Sequence, residues 1–261
     1  MQIFYRIGKN AIERIRVLYG VFRLSAVSVG SFASLLGKTN MANRIVFLRQ
    51  IYFTGFEAIP IISWLATILG IVIVTQTLNI LPLVGSDAII GEILVWVLVR
   101  EAGPVFASVI VIARSGTAIA AELGSMRISR ETIALEVMGI NLTGYLIAPR
   151  ILGTAVSTFV LTFYFEGISV LGGYLLAGLG KSITFSAYIT SILGAMGLLE
   201  VGVSLLKSVL FGLIIGSVCA YHGLKAEKSI TQIPQKTTAA VMGSLSLIFS
   251  LNAIITFVFY F

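Results

Sequence analysis

The sequence is short of nearly everything that catalytic sites are made from. Its 261 residues contain one cysteine, Cys219, and one histidine, His222. Asp87 is the single aspartate. A lone cysteine forms no internal disulfide and no CxxC metal site. A lone histidine leaves no HExxH zinc motif. One aspartate excludes an aspartyl dyad. A Ser-His-Asp site would have to join Asp87 to His222, at opposite ends of apolar segments. Gly180-Lys181-Ser182 has the tail of a phosphate-binding loop, but the first glycine of GxxxxGK[ST] would fall at Leu175. No nucleotide site of that type is expected, so any ATP would be bound by another subunit. Charge is scarce too: only 11% of residues are Asp, Glu, Lys or Arg. An average soluble domain has roughly 25%, which argues against a soluble globular fold.

What is present is apolar. Hydrophobic residues make up 57% of the chain, and the mean hydropathy is +1.02. A membrane span needs about 20 apolar residues. Five such stretches follow one another: Ala58 to Leu78, Ile89 to about Ala113, Ile147 to about Leu179, Val201 to Tyr221 and Val241 to Phe261. The net charge of +7 is no nucleic-acid footprint, because most basic residues flank these stretches. Eight Lys/Arg fall in residues 1–56, and four Arg in the link from Arg114 to Arg150. Lys225, Lys228 and Lys236 follow the fourth span. The links at Asp87–Glu92 and Ser182–Glu200 have almost none, with Lys181 at the edge of the second. Basic residues stay on the cytoplasmic side. The N-terminus is therefore expected in the cytoplasm and the C-terminus outside.

No cleavable signal peptide is visible at the N-terminus. Residues 1–36 read as an amphipathic helix lying in the interface. Ile12, Ile15, Tyr19 and Phe22 keep helical spacing, with Glu13, Arg16 and Arg23 off that stripe. Val17 to Gly37 is also long enough to span, but Ser25, Ser28, Ser31 and Ser34 dilute it. Residues 1–56 are thus expected to form an N-terminal interfacial region and 57–261 a five-span domain. The outer link Thr184 to Leu199 reads as a short re-entrant or surface helix. Gly212 and Gly216 form a GxxxG motif, which lets another helix approach closely.

Two constellations could carry function. Arg100 and Glu101 fall deep in the second span, just before Pro104. Each costs on the order of 2.5–3.5 kcal/mol at the bilayer centre. Neighbours on a helix diverge by about 100°, so at least one must face another helix or a wet cavity. They read either as an ion pair joining two helices or as the polar lining of a substrate path. Lys207, in the fourth span, snorkels to the outer interface, pairs with Glu101 or Glu166, or meets an anionic headgroup. The second constellation is the basic link between spans two and three. Ser129 is a candidate N-cap, Glu131 lies in the first turn, and Gly139 is a candidate stop. A helix of about nine residues there would carry Ile133, Val137 and Met138 on one side, which suits docking into a partner's groove.

The same residues carry a resemblance. Arg100-Glu101-x-Gly103-Pro104, Ala113-Arg114-x-Gly116, Ala121-Glu122-Leu123-Gly124-x-Met126 and Ala134-Leu135-Glu136-Val137-Met138-Gly139 follow in order. Tyr145-Leu146 and Pro149-Arg150 continue them, and Arg49-Gln50-x-Tyr52 and Gly55 precede them. Together they resemble the MlaE/YrbE family, the permeases of MCE-associated ABC lipid transporters. The likeness covers residues 45–261 and is sharpest at 98–150.

The resemblance implies a homodimer in the bacterial inner membrane. It implies cytoplasmic ATPase subunits, which hold ATP and Mg, and a periplasmic MCE-domain subunit. The cargo would be phospholipid moving between the inner membrane and the outer envelope, in the service of outer-membrane lipid asymmetry. The segment matching the coupling helix supplies Glu122, Met126, Arg127, Arg130, Glu131, Glu136 and Met138. The lipid cavity would lie at the dimer interface, between the first, second and fifth spans. Arg100 and Glu101 match the family's charged pair, and Lys207 a basic position. Leu65 and Ile68 in the first span, with Leu251 and Ile255 in the last, are expected as apolar walls. Asn252 stands where relatives can carry an acid, which puts a polar network to the last span in doubt.

The expectation is an all-α integral membrane permease, with five spans and a cytoplasmic coupling helix between spans two and three. It needs no cofactor of its own and is no enzyme. The competing reading is a secondary transporter of a hydrophobic substrate driven by an ion gradient through Arg100, Glu101, Glu166 and Lys207. The lack of an internal repeat argues against it.

Overall fold

A bilayer offers backbone groups no solvent partner, so apolar segments must close their hydrogen bonds within helices. The computed structural model describes residues 2–31, 41–84, 88–180, 184–226 and 229–260. Among the described residues every regular element is helical. The α-helices are α1 Gln2–Gly30, α2 Met41–Thr54, α3 Ile59–Val84, α4 Ala88–Leu94, α5 Gly103–Val111, α6 Thr117–Ile128, α7 Glu131–Val137, α8 Ala148–Gly180, α9 Phe185–Ala195, α10 Leu198–Gly223 and α11 Gln232–Tyr260. Five helical stretches are long and apolar enough to cross a membrane: Asn43–Asn79, Gly91–Ile128, Thr143–Leu175, Leu198–Gly223 and Gln232–Tyr260. The five expected spans are these. Lys181 and Asp87, Lys228, and the end of the Val17–Gly37 stretch lie outside the described residues.

Several boundaries differ from the sequence reading: the first stretch begins at Asn43 and not at Ala58, and the last at Gln232 and not at Val241. The second span does not stop near Ala113 but continues through α6 to Ile128. Glu122, Met126 and Arg127 therefore ride on the span's own extension. The third helical stretch begins at Thr143 and not at Ile147. Asn141 caps it, its Oδ1 accepting from the backbone N–H groups of Thr143 at 3.1 Å and Gly144 at 3.3 Å. Residues Val95–Ala102, Ile112–Gly116 and Thr143–Ile147 are π-helical. Such widened turns gather at functional sites.

The chain divides into two compact units. The first comprises Met1–Tyr52, Ile112–Thr154 and Leu213–Leu247. In it Asn43 donates to the carbonyl of Gly144 at 3.2 Å, tying α2 to the head of the third span. Ser25 and Ser217 share a 2.8 Å hydrogen bond that holds α1 to α10. On α1, Ile15, Tyr19 and Phe22 are exposed on the outside of the helix, as are Arg16 and Arg23. The second unit comprises Phe53–Val111, Ala155–Gly212 and Ile248–Phe261. There Phe106 stacks on Phe165, with ring centroids 6.1 Å apart. Helix α9, expected as a short outer helix, buries Tyr188 and Ile192. Tyr188 donates to the carbonyl of Val170 at 3.1 Å, and burial pushes its hydroxyl pKa up to about 12.

The GxxxG motif works inside the chain. A Cβ on Gly212 would stand 2.5 Å from Ala155 Cα, and one on Gly216 2.8 Å from Ile151 Cα. Both glycines therefore seat α10 against α8. The third stretch is the most enclosed of the five: 78% of its most apolar segment is buried, against 28% for the first span and 17% for the last. It also carries a buried polar row at helical spacing, Thr154, Thr158, Thr162 and Glu166. Thr154 and Thr162 bond back to carbonyls four residues earlier. That satisfies their hydroxyls where no water reaches.

Candidate functional site

Arg100 and Glu101 diverge on their helix, and each finds a different partner. Glu101 Oε1 accepts from Lys207 Nζ at 3.1 Å and from Thr256 Oγ1 at 2.8 Å. Its Oε2 accepts from Asn252 Nδ2 at 2.8 Å. Lys207 Nζ also donates to Thr256 Oγ1 at 2.8 Å and to the Arg100 carbonyl at 3.0 Å. That carbonyl is available for a simple reason. Pro104, four residues on, has no N–H to donate to it. A neighbouring side chain takes the freed acceptor, which is how a transmembrane helix tolerates proline. The Arg100 guanidinium lies over the Tyr260 ring, a cation–π contact.

The knot decides one open choice and corrects one expectation. Lys207 does not snorkel: its side chain is 0% exposed, and three protein acceptors face its ammonium. Snorkelling would have required a clear path outward, and α10 turns this face inward. The polar network also reaches the last span after all, because the Asn252 amide donates to the Glu101 carboxylate. Thr256 and Tyr260 were missed by the sequence reading. They follow Asn252 at four-residue steps, so one face of α11 carries all three. That spacing was the available signal. Polar capacity remains in the knot: the buried Arg100 Nε, Asn252 Oδ1 and Tyr260 OH have no hydrogen-bond partner among the described residues.

Glu166 does not join the pair. Its carboxyl accepts from Ser204 Oγ at 2.5 Å and lies against Gly103. Among the apolar candidates, Ile68 is exposed, while Leu65 and Leu251 are half-buried. Ile255 is packed inside the chain at 7% exposure.

The link between spans two and three lies in the first unit. Glu122 is exposed and pairs with Arg150, Oε1 to Nη2 at 2.9 Å, across the two helices that bound the link. Arg127 Nη1 reaches Thr132 Oγ1 at 3.4 Å, bracing the corner, and Thr132 is fully buried. Met126 is half-buried beside them. The link helix is α7, seven residues from Glu131. The expected N-cap is corrected: Ser129 closes α6, and Arg130 precedes α7 with φ 61°. The corner is too tight for an extended cap. The expected stop is where the sequence put it. Gly139, at φ +75°, donates to the Glu136 carbonyl, and Ile140 to that of Leu135, each at 3.0 Å. This pair of bonds is a Schellman motif. Arg130, Glu131, Glu136 and Met138 are all exposed, as are Ile133 and Val137.

The Permease MlaE family profile matches residues 47–258. That stretch takes in α7 and every knot residue but Tyr260, and it reaches into all five spans. The chain belongs to the MlaE permease family. A probable ABC transporter permease of Rickettsia prowazekii is 29% identical over 260 residues, covering 100% of this chain and 98% of that protein. A probable ABC transporter permease of Rickettsia typhi is 31% identical over 88% of this chain and 92% of its own length. The intermembrane phospholipid transport system permease MlaE of Haemophilus influenzae is 25% identical over 96% of this chain and 94% of its own. This MlaE-family chain is thus an ABC-transporter permease, a membrane component of a kind that works with ATPase subunits and is not itself an enzyme.

Proposed function

We propose that the chain is the permease of an ABC transporter that moves phospholipid between a bacterial inner membrane and the outer envelope. The observation that carries this reading is the similarity, along 96% of the chain, to a permease named for intermembrane phospholipid transport. The knot supports it. A phospholipid brings an anionic phosphate and two long chains. Its path needs apolar walls with few, placed polar groups. Arg100, half-buried in the second span and lacking a partner for its Nε among the described residues, is the cation assigned to meet the phosphate. Lys207 holds Glu101 and the second span in position. The weakly enclosed first and last spans leave apolar surface for a second copy of the chain, with Leu65 and Ile68 along the lipid path.

The coupling assignment follows from exposure. A solvated loop helix would hide its apolar residues, yet Ile133, Val137 and Met138 stand out of the chain between Arg130, Glu131 and Glu136. That mixture suits a groove on the ATPase, which would hold the ATP and Mg. An MCE-domain subunit would receive lipid on the opposite side. The N-terminus would lie in the cytoplasm and the C-terminus in the periplasm, with α1 in the interface.

The test is reconstitution with the partner ATPase and a photo-crosslinking residue at position 65 or 68. ATP-dependent lipid transfer and phospholipid crosslinks above those at an outward-facing control position are expected. Transfer driven by an ion gradient without the ATPase would overturn the reading in favour of a secondary transporter.

A further inference from the structure

A cleft of about 780 Å³ opens in the first unit beside the end of α7. Its walls are of two kinds. Helix α1 contributes Leu24 and Val27, and the chain after α7 contributes Ile140 and Leu142, all apolar. Arg23 of α1 and Lys225 beyond α10 bring two positive charges, set against the one carboxylate of Glu136. Both cations are exposed. Lys225 Nζ sits 4.4 Å over the Tyr221 ring, another lining residue. Gly20 closes the wall, because any Cβ there would clash with that ring.

We propose that this cleft binds an anionic phospholipid of the facing leaflet, at a site separate from the transport path. Two cations beside an apolar trough match a phosphodiester joined to acyl chains. Basic pockets among transmembrane helices on the basic-flank side take such headgroups. The volume falls within the range of small-ligand sites, roughly 300–1,000 Å³. It takes a headgroup and the upper part of the chains. Tyr19 and Phe22, next in sequence to the lining residues Gly20 and Arg23, are exposed. That suits a cleft filled from a bilayer. None of the knot residues lines it. Glu136 and Gly139 do, so the bound lipid touches the end of α7. The consequence, which rests on the coupling role proposed for α7, is that ATP turnover responds to anionic lipid in that leaflet.

The test uses the full chain in detergent, with phosphatidylglycerol or phosphatidylcholine added and retained lipid counted by native mass spectrometry. One phosphatidylglycerol per chain is expected, with phosphatidylcholine held far more weakly. At about fivefold per surface cation, Arg23→Gln/Lys225→Gln should lower retention by on the order of tenfold or more. Leu142→Trp, which fills the trough without changing charge, should lower it too. Arg44→Gln, exposed and outside the cleft, should not. Equal retention of the two lipids, indifference to both cleft variants, or displacement by millimolar inorganic phosphate would overturn the proposal. With the ATPase present, phosphatidylglycerol should stimulate turnover in the parent and not in the double variant. Turnover that ignores a lipid still bound at the cleft counts against the coupling role of α7, not against the site.

Discussion

Gly103 lies so close to Glu166 that a Cβ on residue 103 would stand 2.7 Å from Glu166 Cγ and 2.8 Å from Oε1. Real Cβ atoms essentially never approach below 3.0 Å. The glycine therefore lets the Glu166 carboxyl lie flat against the second span and reach Ser204. Gly103→Ala should push Glu166 away and break that bond. Losing a buried hydrogen bond while leaving its acceptor buried costs about 1–3 kcal/mol. Thermal unfolding in detergent should show the loss. Gly103→Ala/Glu166→Ala should be less destabilised than the sum of the single variants, since the clash is gone. Strict additivity would mean that the two side chains do not meet.

The second prediction concerns the two ways of spoiling α7. Gly139 has open space around it, so Gly139→Ala tests the backbone alone. Holding a non-glycine residue at positive φ costs about 1–2 kcal/mol, and the Schellman turn should fray. Glu131→Lys, Glu136→Lys and Met138→Asp leave the backbone alone and change only the exposed face. All four variants should insert normally and should co-purify less ATPase. If all four retain parental co-purification and ATP turnover, α7 is not the docking element.

Orientation gives a third test. The basic flanks predict a cytoplasmic N-terminus, and five spans then put Phe261 on the far side. In a Cys219→Ser background, a cysteine at position 261 should react with an impermeant maleimide from the periplasmic face of spheroplasts. A cysteine at Arg130, exposed at the link corner, should react only after permeabilisation. The reverse pattern at position 261 would revive a span in the first 37 residues.

The spans were legible because burial in lipid imposes a composition, and composition survives without any tertiary information. The end of α7 was legible for a local reason, since a glycine at C′ answers to backbone geometry alone. The sequence offered Lys207 two partners, Glu101 and Glu166, and could not choose between them. Lys207 and Glu101 are 106 residues apart, and no periodicity says which faces of α10 and the second span meet. Ser129 misled because serine serves a helix start, yet the corner needed Arg130 in a left-handed conformation and left Ser129 to end α6. Asn252 misled differently. Its loss of negative charge suggested a broken network, but the acid is on the second span, and an amide donor completes it.

The knot itself yields the last prediction. Lys207 and Glu101 form a pair in which the lysine is wholly enclosed and the Glu101 side chain is 32% exposed. Removing one member of a buried pair strands the other, at about 3–5 kcal/mol, whereas replacing both can be nearly neutral. The exposure of Glu101 puts the cost here near the lower end. Lys207→Met should therefore destabilise the permease strongly. Lys207→Met/Glu101→Gln should recover much of the loss, because the amide that replaces the carboxylate can still accept from Thr256. Stability and transport should then separate. If the knot only fastens helices, lipid transfer recovers in step with the melting temperature. If Glu101 and Lys207 hold Arg100 in place for the passing headgroup, the double variant melts near the parent yet transfers lipid slowly. Arg100→Gln, which leaves the Lys207–Glu101 pair in place, should share that transport defect with little change in melting. Full transfer by both variants would remove the knot from the lipid path.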